Sequence, residues 1–513
     1  MSYQPTNSAP PATLRTEVLL VFAMMLSIFF LTSAGFDTSE GGYHYMIAHQ
    51  IWTQHAMSFA EPKEGIFTVA PNGRTYASHE FGNTLFMLPI AGFNVGVEKA
   101  LARRQDKRKI DYITQFFLTS LSAIYTAAAT ALLYGLLRLV FQQSVNAALA
   151  GSLGFALCSF IWTSSRSLFD GVLCMALITG AMLAMMQFKR NGDTRLFALG
   201  TILIGFGIIT RLTIVLVMLG FVVYFTMIFW RDRKRLFQLL ALGAVLLIPF
   251  ALWQMYYNNL RTGNWMLSPV QTDQYASSNG LTGSLAVGVS GLLFSPGKSI
   301  FIFLPLALIS VICYRKFLAR FQPEAIFVGV VSGLWLLLHA KLATNWFGAW
   351  GFGPRHFVTI APILVLPACA CWDWMVENVW RRAILIIALV WGFLLGASSI
   401  IGNWFFRMEL AHTRGKEDEM LYSWSQGQAL DIIEGAGSNL RNLALHLPGP
   451  TVPGLSPANR YASNTINVWL NSAAYQGIPR ILLVVVALAL ISVAVYSFVS
   501  LRRMSLQNSA PAL

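Results

Sequence analysis

The chain has 513 residues, 56% of them hydrophobic and only 11% charged, against about a quarter charged in soluble domains. That balance excludes a water-soluble globular protein. It also takes the net charge of +14 away from nucleic acid, because a chain immersed in lipid places its basic residues in cytoplasmic loops and at anionic headgroups.

The first apolar segment, residues 17–35, follows a short Pro and Ser-rich tail and Arg15. No small-residue cleavage site follows it, so it is expected to remain as a span. Further spans are expected at 112–138, 146–162, 170–188, 196–211, 213–230, 236–255, 299–314, 323–340, 356–372, 383–402 and 480–500, which brings the total to twelve. The stretch 82–98 is apolar but short, and it carries Asn83, Pro89, Asn94 and three glycines. The five cysteines lie in or at the ends of apolar segments, which implies no disulfide framework.

Arg502 and Arg503 follow the last span and set it cytoplasmic at its end. Alternation then brings Arg381 with Arg382, the basic run 315–320, the run 231–235, the run 189–195 and the turn after Arg138 to the same side, as the positive-inside rule demands. With Arg15 inside as well, 82–98 does not cross, and the basic cluster 103–109 lies outside at the headgroups. Both termini are expected in the cytoplasm. The outside then owns 36–111, 256–298 and 403–479, the last with a charged, helix-like stretch from Lys416 to Glu434. A long first external loop with short later turns suits a membrane enzyme better than a transporter built of two matched halves.

The first loop opens with Asp37 and Glu40 directly after the first span, followed by Tyr43 and His44. A carboxylate at the membrane face is costly unless it works or is paired, and it suits a general base; Asp37, Thr38 and Ser39 are equally good caps for a helix starting near Glu40. His79 and Glu80 follow in Tyr76-Ala77-Ser78-His79-Glu80, where they bind sugar or metal or simply solvate an interface. Arg166 and Asp170 join two spans, and Arg211 separates two others. Each arginine either snorkels or takes a phosphate in bidentate fashion.

Two later elements put glycine, proline and a cation at the head of a helix: Phe294-Ser295-Pro296-Gly297-Lys298-Ser299, and Trp346-Phe347-Gly348-Ala349-Trp350-Gly351-Phe352-Gly353-Pro354-Arg355. Both are candidate anion sites at headgroup depth. The first is no P-loop, since its leading glycine is missing. Trp346 and Trp350 are either interfacial belt residues or stacking platforms for a sugar.

In this order the elements resemble the GT-C superfamily of membrane glycosyltransferases, which includes protein O-mannosyltransferases, aminoarabinose transferases and arabinofuranosyltransferases. The likeness is one of layout over residues 17–400, with the Trp-Gly-Pro-Arg element its most specific part. The resemblance implies an all-α bundle of about twelve transmembrane helices with juxtamembrane helices in a long first external loop. It implies a polyprenyl-phosphate sugar donor, inversion, and Asp37 as base with Glu40 as the fallback, the two acids being separated here by Thr38 and Ser39. It makes Arg355, Lys298 and Arg211 ligands of the donor phosphate, and it leaves Tyr43, His44, His79, Glu80, Arg166, Asp170, Trp346 and Trp350 to the substrates.

No resident cofactor is required, although a divalent metal is compatible. The expected partners are membrane lipids and a glycan, lipid or protein acceptor, at the periplasmic face of the inner membrane. On this scheme 1–402 is the catalytic module, 403–479 an external region, and 480–513 the last span and tail. Two rivals remain: a ligase using a diphosphate-linked lipid, which would draw on Arg407, Arg414, Arg441 and Arg460, and a multi-span transporter.

Overall fold

A backbone in lipid satisfies its own hydrogen bonds only in a helix or a closed barrel, so long apolar segments become helices. The computed structural model describes residues 11–34, 41–63, 67–101, 107–269, 280–349, 351–445, 468 and 480–509. Asp37, Glu40 and Trp350 lie outside these residues.

Among the described residues the chain is all-α apart from one small hairpin. In order it forms α1 (Pro11–Thr32), α2 (Gly41–Gln54), β1 (Phe67–Val69), β2 (Thr75–Ala77), α3 (Gly82–Leu101), α4 (Lys107–Leu139), α5 (Val145–Leu157), α6 (Ile161–Ser164), α7 (Asp170–Asn191), α8 (Thr194–Thr210), α9 (Val215–Phe229) and α10 (Arg233–Thr262). Then follow α11 (Leu285–Phe294), α12 (Ile300–Phe303), α13 (Pro305–Arg320), α14 (Gln322–Ala340), α15 (Ala361–Ala370), α16 (Trp372–Glu377), α17 (Val379–Ile401), α18 (Trp404–Thr413), α19 (Glu417–Tyr422), α20 (Gln428–Leu445) and α21 (Arg480–Ser509).

Among the described residues, eight helices are long and apolar enough to cross a membrane: α1, α4, α7, α9, α10, α14, α17 and α21. The other four expected spans are shorter or broken. Helix α5 has 13 residues and α15 only 10, about 20 Å and 15 Å at the helical rise, against a hydrocarbon core of about 30 Å. Helix α8 has 17 residues. The expected span 299–314 breaks between α12 and α13, where Pro305 has no N–H to continue a helix and instead starts one. The Phe303 carbonyl freed at that break accepts the Phe160 N–H at 2.9 Å, just beyond the end of α5. Two interrupted helices thus complete each other's backbone bonding. The stretch 82–98 is the continuous helix α3, which is not among the eight.

Helix α7 is central, packed on α4 and α8; α1 lies against α4 and α21, α13 against α15, and α17 against α20. A second cluster builds the outer layer. Ile47 of α2, Phe67 and Tyr76 of the hairpin, Phe81 and Tyr257 of α10 are buried together. Strand β1 pairs antiparallel with β2, Phe67 opposite Ala77, and β2 delivers the chain to residues 78–81 under the end of α10.

The bundle has two chemically different ends. At one end, which holds the start of α1 and the ends of α4 and α7, buried Glu17 accepts from Arg138 Nε at 2.9 Å and from Tyr134 Oη at 2.8 Å. Nearby in the fold, Glu324 accepts from Lys189 Nζ at 2.7 Å and from Tyr224 Oη at 2.9 Å. The opposite end gathers nearly all the described site candidates.

Candidate functional site

The site begins where three elements meet. Asp170 opens α7, Asn83 and Thr84 open α3, and His44 lies on the first turn of α2. Asn83 Nδ2 donates to Asp170 Oδ1 at 2.8 Å, His44 Nε2 lies 3.2 Å from the same oxygen, and His44 Nδ1 is 3.0 Å from Thr84 Oγ1. A carboxylate at the first turn of a helix also sits on the positive end of the helix dipole. The His79 ring lies 6.1 Å from that of His44. Three segments far apart in sequence thus converge on one buried carboxylate.

Helix α3 can approach because its first residue is glycine. A Cβ on Gly82 would stand 2.1 Å from Thr210 Oγ1, so Thr210 and Arg211 at the end of α8 lie directly against the start of α3. The Arg211 guanidinium reaches toward the start of α7, its Nη1 being 3.7 Å from where a Cβ on Gly171 would stand. Its Nη2 donates to His356 Nδ1 at 2.9 Å, and His356 Nε2 lies 3.0 Å from the Asn345 carbonyl. Because a guanidinium only donates, these contacts fix His356 as the neutral Nε2–H tautomer. The His339 ring packs on it at 4.8 Å.

Arg355 completes this group from the other side. Its guanidinium lies over the Phe169 ring at 5.1 Å, next to Asp170. The loop before it wraps its aliphatic stem: a Cβ on Gly351 would meet Arg355 Cδ at 2.4 Å, and one on Gly348, which has φ +79, would meet Cγ at 2.7 Å. The glycines that looked like turn formers in the sequence are therefore also there for close approach.

Two buried cations fasten the two loops that carry the site. Lys298, 1% exposed, donates from Nζ to the carbonyls of Gly351 at 2.6 Å, Gly353 at 3.3 Å and Ala349 at 3.5 Å. Burial, reinforced by nearby Arg355, pushes its ammonium down to about 7. Arg261, at the end of α10 and fully buried, donates from Nη1 to the carbonyls of Ala77 at 3.3 Å, Ser78 at 2.9 Å and His79 at 2.7 Å. Its guanidinium lies over the Tyr257 ring at 4.1 Å. Lys298, expected as an anion ligand, thus has its ammonium engaged with carbonyls of the loop that leads to Arg355. Arg261, a cation in the last turn of an apolar helix, was missed in the sequence reading; its position there was the available signal.

The remaining candidates fall around this centre. Glu80 is buried beside the Arg261 clamp, and Tyr43 packs edge-on against Phe67 at 5.2 Å. Arg166 is buried in the turn before α7, and burial pushes it down to about 9. Trp346 is buried rather than presented as a platform: its ring fills the space over Gly291, where a Cβ would come within 2.2 Å, and lies 6.3 Å from the Tyr422 ring. Among the described residues, the buried Asn83 Oδ1 and Thr359 Oγ1 have no protein hydrogen-bond partner. Also among the described residues, no three His, Cys, Asp or Glu side chains converge as metal ligands would.

No protein-family profile and no curated protein sequence matches the chain. Among solved structures, the crystal structure of ArnT from Cupriavidus metallidurans bound to undecaprenyl phosphate is similar to it, with a TM-score of 0.47 and 13% sequence identity. The match covers 86% of this chain and 81% of that one.

Proposed function

We propose that the chain is a membrane glycosyltransferase that moves a sugar from a polyprenyl-phosphate-linked donor to an acceptor hydroxyl, with inversion. The observation that carries this is the convergence of Arg211 and Arg355 on the start of α7 beside Asp170, Arg211 donating to His356 and Arg355 lying over the Phe169 ring. Two guanidiniums held this way at the mouth of a helical bundle suit a phosphate at headgroup depth.

In the reaction, Asp37 takes the proton of the acceptor hydroxyl, with Glu40 the fallback, and the acceptor oxygen attacks the anomeric carbon. The bond from that carbon to the phosphate oxygen breaks, and the electron pair leaves with the polyprenyl phosphate. Arg355 and Arg211 stabilise the charge that grows there. Lys298 acts one step back, holding the loop that presents Arg355. His44, His79, Glu80 and Tyr43 border the acceptor side, with Asp170 between the two halves. The positive-inside rule supports a periplasmic location for this end, with Arg15, Arg381, Arg382, Arg502 and Arg503 toward the cytoplasm.

The diphosphate-ligase alternative gains nothing from Arg407, which is paired with Asp431. The test is mass spectrometry of lipids extracted from the purified protein, combined with turnover of polyprenyl-phosphate sugars. A polyprenyl phosphate retained by the wild type and lost from Arg355→Ala supports the proposal. Absence of both the lipid and turnover in the wild type contradicts it.

A further inference from the structure

The segment after α17 matches no motif in the sequence, yet α18 to α20 are attached to both loops of the donor side. Ser295 Oγ and the Gly297 N–H donate to the Leu421 carbonyl at the end of α19, the second at 3.3 Å. A Cβ on Gly297 would stand 2.1 Å from the Met420 carbonyl oxygen, and the Tyr422 ring lies 6.3 Å from that of Trp346. The unit is itself braced: Arg407 of α18 pairs with Asp431 of α20, and Asn439 Nδ2 donates to the Ile401 carbonyl at 2.9 Å.

The most directed contact is made by Gln428, the first residue of α20 and only 3% exposed. Its Oε1 accepts the Gly353 N–H at 2.7 Å, and its Nε2 donates to the Gly351 carbonyl at 3.3 Å. One side-chain amide thereby pairs with the backbone on both sides of Phe352, as a neighbouring strand would. The Gly351 carbonyl takes Lys298 Nζ from the interior at 2.6 Å and Gln428 from the outer helices. Two residues beyond Gly353 stands Arg355, whose stem lies against Gly351 and Gly348.

We infer that Gln428 is a positioning residue for Arg355, and that residues 404–445 belong to the donor site as the outer jaw of its phosphate clamp. The inference rests on the reading of Arg355 as a ligand of the donor phosphate. Gln428 is placed to touch the loop rather than the donor, so its effect passes through the backbone of Gly351 and Gly353 to the guanidinium. A glycine-flanked loop with φ of +60 at Gly353 has little stiffness of its own, and the amide supplies it.

The experiment measures the affinity of the detergent-solubilised full chain for a polyprenyl monophosphate, alongside the donor KM and kcat. Gln428→Met keeps the length of the side chain and removes both hydrogen bonds to the loop, together with the Nε2 contact to Met408 Sδ. It should weaken binding and raise the donor KM by about three- to tenfold, with kcat changed less, as expected for two lost neutral hydrogen bonds acting on binding. Gln428→Glu keeps the acceptor for Gly353 N–H and should recover part of the loss. In an Arg355→Ala background Gln428→Met should have no further effect on affinity, because the group it positions is gone.

An effect of Gln428→Met that is as large in the Arg355→Ala background as in the wild type overturns the inference. So does normal affinity in Gln428→Met when Arg355→Ala is impaired, which leaves the phosphate clamp itself standing. Unchanged affinity in Arg355→Ala overturns the clamp, and this inference with it. If Gln428→Met does not fold, the Gln428→Glu variant carries the same comparison, and additivity with Arg355→Ala overturns the inference there too.

Discussion

The two ends of the bundle hold buried charge in opposite ways. At the end with Glu17 and Glu324, each buried carboxylate has a cation and a tyrosine hydroxyl within hydrogen-bonding distance, so positive and negative charges are matched inside the protein. At the site end, buried Lys298 and Arg261 point into rows of carbonyls, and Arg211 donates to a neutral histidine ring. Matched pairs lock helices together and have nothing left for a ligand. Cations satisfied by dipoles keep their field, and a positive field is what draws in an anion. On the proposed function the first end serves stability and the second serves binding, although both are built from the same residue types.

The largest effect is expected at Asp37, the proposed base. Asp37→Asn should lower sugar transfer by about 10² to 10⁴ while donor affinity stays close to wild type, since the amide keeps the shape and loses the ability to take a proton. Near-normal turnover in Asp37→Asn with a dead Glu40→Gln would move the base to Glu40. At the other end, Glu17→Gln leaves Arg138 without its carboxylate and should cost about 3 kcal/mol of stability. Transfer per folded molecule should stay unchanged, so a thermal melt in detergent beside a turnover assay separates the two ends.

A smaller effect is expected within the site end, where the start of α3 packs on the end of α8. Gly82→Ala pushes a methyl into Thr210 and should cost about 1–3 kcal/mol, with a raised donor KM as Arg211 shifts. Gly96→Ala, on the same helix with nothing within 4 Å of the added atom, should be neutral. Equal effects at the two positions would show that the approach of α3 to α8 does not matter.

A last effect is a pH dependence at the site end. Lys298 is pushed down to about 7, whereas an unfolded lysine holds its proton to about 10.4. Between those limits the unfolded chain binds more protons, so stability rises with pH across the window. The melting temperature of the wild type relative to Lys298→Met should therefore climb between about pH 7 and about pH 10. A constant difference would contradict the burial of a strained ammonium there.

Eight of the expected spans were legible in the sequence because length and hydropathy are local properties, and so was the loop before Arg355, announced by its Gly-Pro turn. The breaks at Leu304 and after Leu157 were not, because the bond from Phe160 to Phe303 that links them joins residues far apart in sequence. The contact of His44 with Asp170 joins α2 to α7, a pairing that no local pattern contains. Lys298 looks like an anion ligand in the sequence because a cation before a helix has the same pattern whether it faces solvent or a cage of carbonyls. Gln428 gave no signal at all, being a single neutral amide in a segment without motifs.

The central claim is that Arg355 binds the donor phosphate with two parallel hydrogen bonds from its guanidinium. Its most direct test is donor affinity and turnover for Arg355→Lys beside Arg355→Ala at matched expression. The account predicts that the lysine variant is clearly impaired although its charge is kept, because an ammonium cannot reproduce the fork. Near-normal affinity and turnover in Arg355→Lys would contradict it, as a snorkelling arginine exchanges freely for lysine.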